Sequence, residues 1–273
     1  MAYSILILTY NEEINIADCL DSVAWADDVV VLDSFSSDET CMIAESKGAR
    51  VFQRNFDDFG SQRNYALDSI KFKHDWVFHL DADERFNPDL QSECQRVVKL
   101  DLMSAYFVPN RIIFLGKWIP RCTQYPFPQV RLVKLGEVRF AMAGHGQKED
   151  AAKRGVGHID VAYDHYNFSK GIEDWIAKHN HYSTKEARLT MEAERRPMSE
   201  CLSRDAMLRK RALKSWFVRM PFRPWIKFIY LYILKRGFLD GYPGLIYCRL
   251  QMIYESMICI KLKSSEMDQD STC

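Results

Sequence analysis

Asp81-Ala82-Asp83 follows directly on the apolar run 76–80 (WVFHL). A strand ending there delivers two carboxylates to one edge of a sheet. Two hard oxygen ligands suit Mg²⁺ or Mn²⁺, with the phosphate oxygens of a substrate completing the shell. Such a triplet also arises by chance or as a helix cap, but Asn87 and Asp89 stand ready to cap whatever helix follows. Three other polar runs close apolar segments in the same way: Thr9-Tyr10-Asn11-Glu12-Glu13, Asp33-Ser34 and Arg54-Asn55. In open α/β sheets, ligands bind beyond the carboxyl ends of the strands, so these four runs are expected to share one edge.

The elements that must position them alternate. Residues 3–8 are a short apolar run, 28–32 (DVVVL) is a β-branched run of the kind found in buried parallel strands, and residues 49–53 and 76–80 read as two more strands. Helical spacing occupies residues 13–23, 39–47 and 61–70. Ser37-Asp38 can cap the second of these helices and Gly48 can stop it. Strands separated by helices of this length predict βαβ units in a mostly parallel, doubly wound sheet. From residue 104 the pattern changes to short strands, at 105–109 and 129–133, followed by a helix over 171–194. Residues 198–263 are helical by pattern, with Pro221, Pro224 and Pro243 expected to break them into pieces, and 264–273 reads as a polar, frayed tail.

Composition narrows the class. The chain has 273 residues, 47% hydrophobic and 27% charged, which excludes wholesale disorder. Its eight cysteines include no CxxC pair, so neither a zinc knuckle nor a disulfide framework is expected, and a reducing compartment is. MAYSILILTYNEE lacks the pattern of a signal peptide. The net charge of zero hides an asymmetry. Residues 195–263 hold fifteen Lys and Arg against four Asp and Glu, whereas residues 1–194 hold twenty-two against thirty. A basic final third suggests a surface for anionic partners.

TYNEE, DSFSSDET, FGSQRNYAL and HLDADE, in that order, resemble glycosyltransferase family 2, and more narrowly the bacterial lipopolysaccharide-core β-1,4-glucosyltransferase group. GHGQKE, HYNFSKG, WIAKHNHYST and KRGFLDGYPG are similar to that group too, so the resemblance runs over residues 3–262. It implies a GT-A fold: a Rossmann-like, mostly parallel sheet flanked by helices over residues 1–170, then a helical, aromatic and basic region over 171–263 and the tail 264–273. By the same resemblance, Thr9, Tyr10 and Glu12 border the nucleotide of a nucleotide-sugar donor. Asp33 bonds the base or ribose, where a carboxylate accepting from the uracil N–H would favour UDP. Arg63 reaches the diphosphate, Asp83 is the principal ligand of Mg²⁺ or Mn²⁺, and Asp81 bonds the ribose or a metal-bound water. His165 in DHYNF matches the late histidine near metal and diphosphate. Inverting transfer needs a carboxylate to deprotonate the acceptor hydroxyl. The candidates are Glu149 and Asp150, with Glu149 favoured; the stretch departs from the group's shorter His-Glu form, so both stay open.

Residues 216–236 interleave Trp216, Phe217, Phe222, Trp225, Phe228, Tyr230 and Tyr232 with Arg219, Arg223, Lys227, Lys235 and Arg236. No uncharged run reaches the ~18 residues of a spanning helix. Aromatic and basic residues side by side suit an interfacial helix on an anionic membrane; packing within the protein or in a homo-oligomer is the other use of the same residues. A nucleic-acid partner is not expected, for no recognition module is present. The chain is thus expected to be a cytoplasmic enzyme, peripheral on the cytoplasmic face of the inner membrane. It would move a hexose, glucose from UDP-glucose, onto a lipopolysaccharide-core or other cell-envelope glycan or glycolipid. Transfer to polyprenyl phosphate and a non-catalytic nucleotide-sugar-binding role are the alternatives.

Overall fold

The computed structural model describes residues 3–143, 146–193, 196–220 and 222–270. In chain order the elements are β1 (Ser4–Thr9), α1 (Glu13–Ser22), β2 (Val29–Asp33), α2 (Thr40–Ser46), β3 (Arg50–Gln53), α3 (Phe59–Ser69), β4 (Trp76–Asp81), β5 (Glu84–Arg85) and α4 (Pro88–Leu100). There follow β6 (Ala105–Val108), β7 (Asn110–Phe114), β8 (Lys117–Trp118), β9 (Gln129–Lys134), β10 (Val138–Ala143), β11 (Gly146–Ala152), β12 (Val156–His158) and β13 (Tyr163–His165). The remainder is helical: α5 (Gly171–Glu192), α6 (Ala206–Phe217), α7 (Arg223–Ile229) and α8 (Gly241–Asp270). The chain divides into two compact units, Met1–Ile113 with Gln124–Ser169, and Phe114–Thr123 with Lys170–Cys273.

The first unit is built on a seven-stranded sheet of order β12-β6-β9-β4-β1-β2-β3. β1 lies parallel between β2 and β4, β2 is parallel to β3, and β9 enters antiparallel to both β4 and β6. The fold is therefore the mostly parallel, helix-flanked sheet that the sequence predicts. The alternation along β1 shows why its strands are apolar on both faces. Ile5 and Ile7 join one core with Val31, Phe78, Leu80 and Leu90, while Leu6 joins the other with Val30, Leu32, Val77 and Val133. Each face is covered by helices, so neither can be polar. Gly48, at φ 83°, takes the left-handed turn that ends α2. The capping role left open for Asp81 and Asp83 goes to Asn87 instead, whose Oδ1 accepts from the Leu90 amide at 3.0 Å at the start of α4.

In the second unit α8 packs on α5 through Ala187, Ile258 and Leu262. The guanidinium of Arg223, at the start of α7, forms a buried ion pair with Glu255 on α8. The chain bends at the 3₁₀ turn Gly237–Asp240. Close approach explains its glycines, because a Cβ on Gly244 would stand 2.5 Å from the Gly237 carbonyl. Asp240 is buried there, and its Oδ2 accepts from the amides of Arg121 and Cys122 at 3.0 and 2.9 Å.

The expected breaks fall where the prolines stand: α6 ends at Phe217, and α7 and α8 open with Pro224 and Pro243 in their first turns, where the missing N–H has no helical acceptor anyway. Pro221 lies outside the described residues. One expectation about this region needs correction: residues 264–270 are not frayed, because α8 runs on to Asp270. No glycine or proline interrupts it after Gly244, and a helix once nucleated extends at little cost per residue. The seven cysteines among the described residues are free thiols.

Candidate active site

Register brings the polar strand ends together. Thr9 pairs with Asp33 and Asp33 with Gln53, while Asp81 lies beside Leu8. Along β4, side chains alternate, so Asp81 continues the face of Val77 and His79. Helix α3 covers that face, and from it Arg63 Nη2 reaches Asp81 Oδ1 at 3.1 Å. The second carboxylate oxygen of Asp81 accepts from Arg131 Nη2 on β9 at 2.9 Å. The same Nη2 lies 2.6 Å from Glu84 Oε1, and Arg131 Nε donates to the Tyr163 hydroxyl at 3.0 Å. Glu84 Oε2 in turn accepts from the Asp81 amide at 2.9 Å, which fixes the turn after β4.

Two arginines face two carboxylates in this largely buried cluster, and such pairing is the condition under which charges are tolerated away from water. Burial pushes the Asp81 carboxyl up, but the positive charges of Arg131 and Arg63 outweigh it and hold the group well below the usual carboxylate range. Glu84 shows the opposite balance: burial pushes it up to about 7 against the pull of Arg131. Arg63 is itself buried, and its Nε and Nη1 lack a hydrogen-bond partner. Buried donors left in this way are costly unless a ligand or water satisfies them.

Asp83 lies beyond Asp81 on the same turn, and the Tyr166 amide donates to its carbonyl at 2.8 Å. The hydrogen bond brings β13 alongside, and His165 Nε2 stands 3.3 Å from Asp83 Oδ2. Burial lowers the imidazole, but the Asp83 carboxylate more than offsets this and raises it to about 9. A protonated imidazole offers no lone pair at the shared nitrogen, so a metal ion bound here would have to displace that proton. One carboxylate oxygen and one imidazole nitrogen fit a Mn²⁺ or Mg²⁺ ion whose other ligands come from phosphate and water. Among the described residues no group of three or more His, Cys, Asp or Glu could hold a metal, so the protein alone would supply few ligands.

At the ends of β1 and β2, Thr9 Oγ1 donates to Asp33 Oδ1 at 2.8 Å, and the Ser36 amide donates to Asp33 Oδ2 at 2.8 Å. Burial raises the Asp33 carboxyl, but the Ser36 hydroxyl and amide together with Thr9 bring it below its ordinary value. A base or ribose bonding Asp33 must therefore share or displace these donors. Tyr10 is exposed at the edge. The Glu12 side chain accepts from Asn15 Nδ2 at 2.7 Å, and its amide donates to Thr40 Oγ1 at 2.8 Å, so it tethers α1 to α2.

Glu149 and Asp150 lie on β11, which is a strand rather than a charged loop. Their side chains fall outside the described residues, but the backbone register is informative. Arg139 pairs with Ala151 and Phe140 with Glu149, which makes Asp150 the extra residue of a β-bulge. The β10–β11 ribbon is fastened to α3 by reciprocal bonds between Asn64 and the Phe140 backbone, at 2.9 and 3.1 Å. The helix that carries Arg63 thus also carries the ribbon bearing both base candidates.

Sequence reasoning missed Arg131, Glu84 and Tyr163. A signal for Arg131 was present: an arginine inside the apolar run QVRLVK, where a fully buried cation requires a buried acid. Glu84 belongs to the same DADE stretch as the predicted ligands but carries a different job.

Residues 4–121 match the glycosyl transferase family 2 profile. A Rickettsia felis protein described as an uncharacterized glycosyltransferase is 31% identical over 199 residues, covering 68% of this chain and 69% of its own. The lipopolysaccharide core biosynthesis glycosyltransferase LpsC of Rhizobium meliloti is 22% identical over 260 residues, covering 90% of this chain and 89% of its own. Among solved structures, S. aureus TarS aligns over 98% of this chain and 92% of that one, with 17% identity and a TM-score of 0.45. The chain belongs to glycosyltransferase family 2.

Proposed function

We propose that the protein is a metal-dependent, inverting hexosyltransferase. It moves glucose from UDP-glucose onto a lipopolysaccharide-core or other cell-envelope glycan at the cytoplasmic face of the inner membrane. The observation that carries this reading is the meeting of Asp83 with His165 at the end of β4, beside Asp81 and the half-satisfied guanidinium of Arg63. The name of the LpsC relative supports the acceptor class.

In this account Asp83 and His165 would hold Mg²⁺ or Mn²⁺, which would supply positive charge against the departing diphosphate. Arg63 stays on Asp81 through Nη2 and offers Nε and Nη1 to diphosphate oxygens, while Asp81 turns to the ribose or a metal-bound water. Thr9, Tyr10 and Glu12 border the nucleotide, with Asp33 accepting from the uracil N–H. Glu149, or Asp150 if the bulge turns it inward, takes the proton of the acceptor hydroxyl. That oxygen bonds to the anomeric carbon as the bond to the diphosphate breaks on the opposite side, which inverts the configuration.

The test is a panel of UDP- and GDP-sugars with Mn²⁺ and a deacylated core oligosaccharide. UDP release coupled to a glucosylated product supports the reading. Label that enters organic solvent on polyprenyl phosphate overturns the acceptor, and no turnover of any donor overturns the enzyme.

A further inference from the structure

The helix α7 and the π-helical turn Tyr230–Leu234 that continues it are inside out by the standards of a water-soluble protein. Their two charged residues both turn to Glu255, Arg223 in a buried ion pair and Lys227 at 4.0 Å, and Pro224 and Leu231 are buried as well. Their outward face carries Trp225, Ile226, Ile229, Tyr230, Ile233 and Leu234, each between 41 and 70% exposed. These residues come in adjacent pairs every fourth position. In an α-helix a four-residue repeat drifts by about 40° per step, so the stripe would wind out of line. The wider π turn rotates less per residue and counters that drift, and all six residues are exposed. A surface helix ordinarily turns such a stripe to the core, and a contiguous exposed apolar patch of this kind marks an interaction site.

We infer that this face is a docking surface for an anionic lipid bilayer, on which α7 and the π turn lie in the interfacial plane. Charge chooses the occupant. The stripe ends at Lys235 and Arg236, both exposed, in a region with fifteen basic residues against four acidic over 195–263. A second copy of this chain would bring like charges together at that end, whereas anionic headgroups attract them. Trp225 and Tyr230 add rings suited to the headgroup level. Among the described residues no helix is long and apolar enough to cross a membrane, so the surface lies on the bilayer. The inference gives a location to the membrane part of the proposed function. It can fail alone, because vesicle binding reads this face and donor turnover in solution reads the chemistry.

The test is flotation of the full chain with phosphatidylcholine vesicles, with and without phosphatidylglycerol, alongside sedimentation velocity without lipid. Wild type should float with the anionic vesicles and bind the neutral ones about tenfold less. Trp225→Ser/Ile229→Ser/Leu234→Ser should lower anionic binding by about tenfold or more, with an unchanged circular dichroism spectrum. Lys235→Glu/Arg236→Glu, at exposed polar positions, should cut binding to anionic vesicles down to the neutral level, whatever becomes of the triple variant. Wild type that stays with the soluble fraction, variants that float as wild type does, or equal binding to both vesicle types overturns the inference. So does a lipid-free dimer that the triple variant dissolves, which would make the face a subunit contact.

Discussion

Arg131 Nη2 bonds Asp81 Oδ2 at 2.9 Å and thereby ties the antiparallel strand β9 to the end of the central parallel strand β4. The same nitrogen serves Glu84, so one buried guanidinium holds both ends of the turn that presents Asp83. Arg131→Ala would leave Glu84 buried without its cation, which should cost about 3–5 kcal/mol in urea unfolding. Arg131→Lys keeps the charge but cannot fork to Asp81, Glu84 and the Tyr163 hydroxyl together. It should therefore recover much of the stability while lowering kcat more than it raises the donor KM. Equal stability losses in the two variants, or unimpaired turnover in Arg131→Lys, would count against this role.

The Asp83–His165 pair makes a prediction about metal that does not depend on catalysis. Wild type with UDP should bind Mn²⁺ as read by electron paramagnetic resonance, and Asp83→Asn should weaken that binding by an order of magnitude or more, because a neutral amide is a poor partner for a divalent cation. His165→Gln should weaken it less. Unchanged Mn²⁺ binding in Asp83→Asn removes this residue from the site.

Turnover separates the two base candidates. Glu149→Gln should lose on the order of 10²–10⁴ in kcat with little change in donor affinity, as expected for a lost general base. If Asp150→Asn shows that loss and Glu149→Gln does not, the bulge at Asp150 is what aims the catalytic carboxylate. If neither variant is impaired, β11 does not carry the base.

Asp28 governs part of the acid stability. It accepts from Ser4 Oγ at 2.5 Å, Arg50 Nη2 at 2.8 Å and the Lys73 amide at 2.8 Å. Burial raises its carboxyl, but the Lys73 amide, the Ser4 hydroxyl and Arg50 outweigh it, and the folded value lies below the ordinary one. A depressed carboxyl contributes stability that is fully present above the unfolded value of about 4 and fades as pH falls through the folded value. Asp28→Asn should accordingly cost about 1–3 kcal/mol at pH 7, with a smaller difference from wild type at pH 3. A deficit that does not shrink on acidification would show that packing, not charge, is what Asp28 supplies.

The framework of the sheet was readable because its signals are local. The alternation of Ile5, Leu6 and Ile7, the break at Gly48 and the cap at Asn87 each follow from a few neighbouring residues. Asp83 and His165, 82 residues apart, were paired through the family resemblance and not through spacing. Arg131 escaped because its partners lie 50 and 47 residues away, and only the antiparallel entry of β9 brings them together. In the helical region the apolar and basic residues were evident in the sequence. Which of them face outward was not, because that depends on Arg223 finding Glu255 and on a π turn in the middle of the run.

The most direct test of the central claim is transfer of glucose from UDP-glucose to a core oligosaccharide, measured side by side with Mn²⁺ and with EDTA, for wild type and Asp83→Asn. The account predicts glucosylated product from wild type with Mn²⁺, and at most a trace from wild type in EDTA or from Asp83→Asn in either condition. Equal product with and without the metal, or a fully active Asp83→Asn, would contradict it.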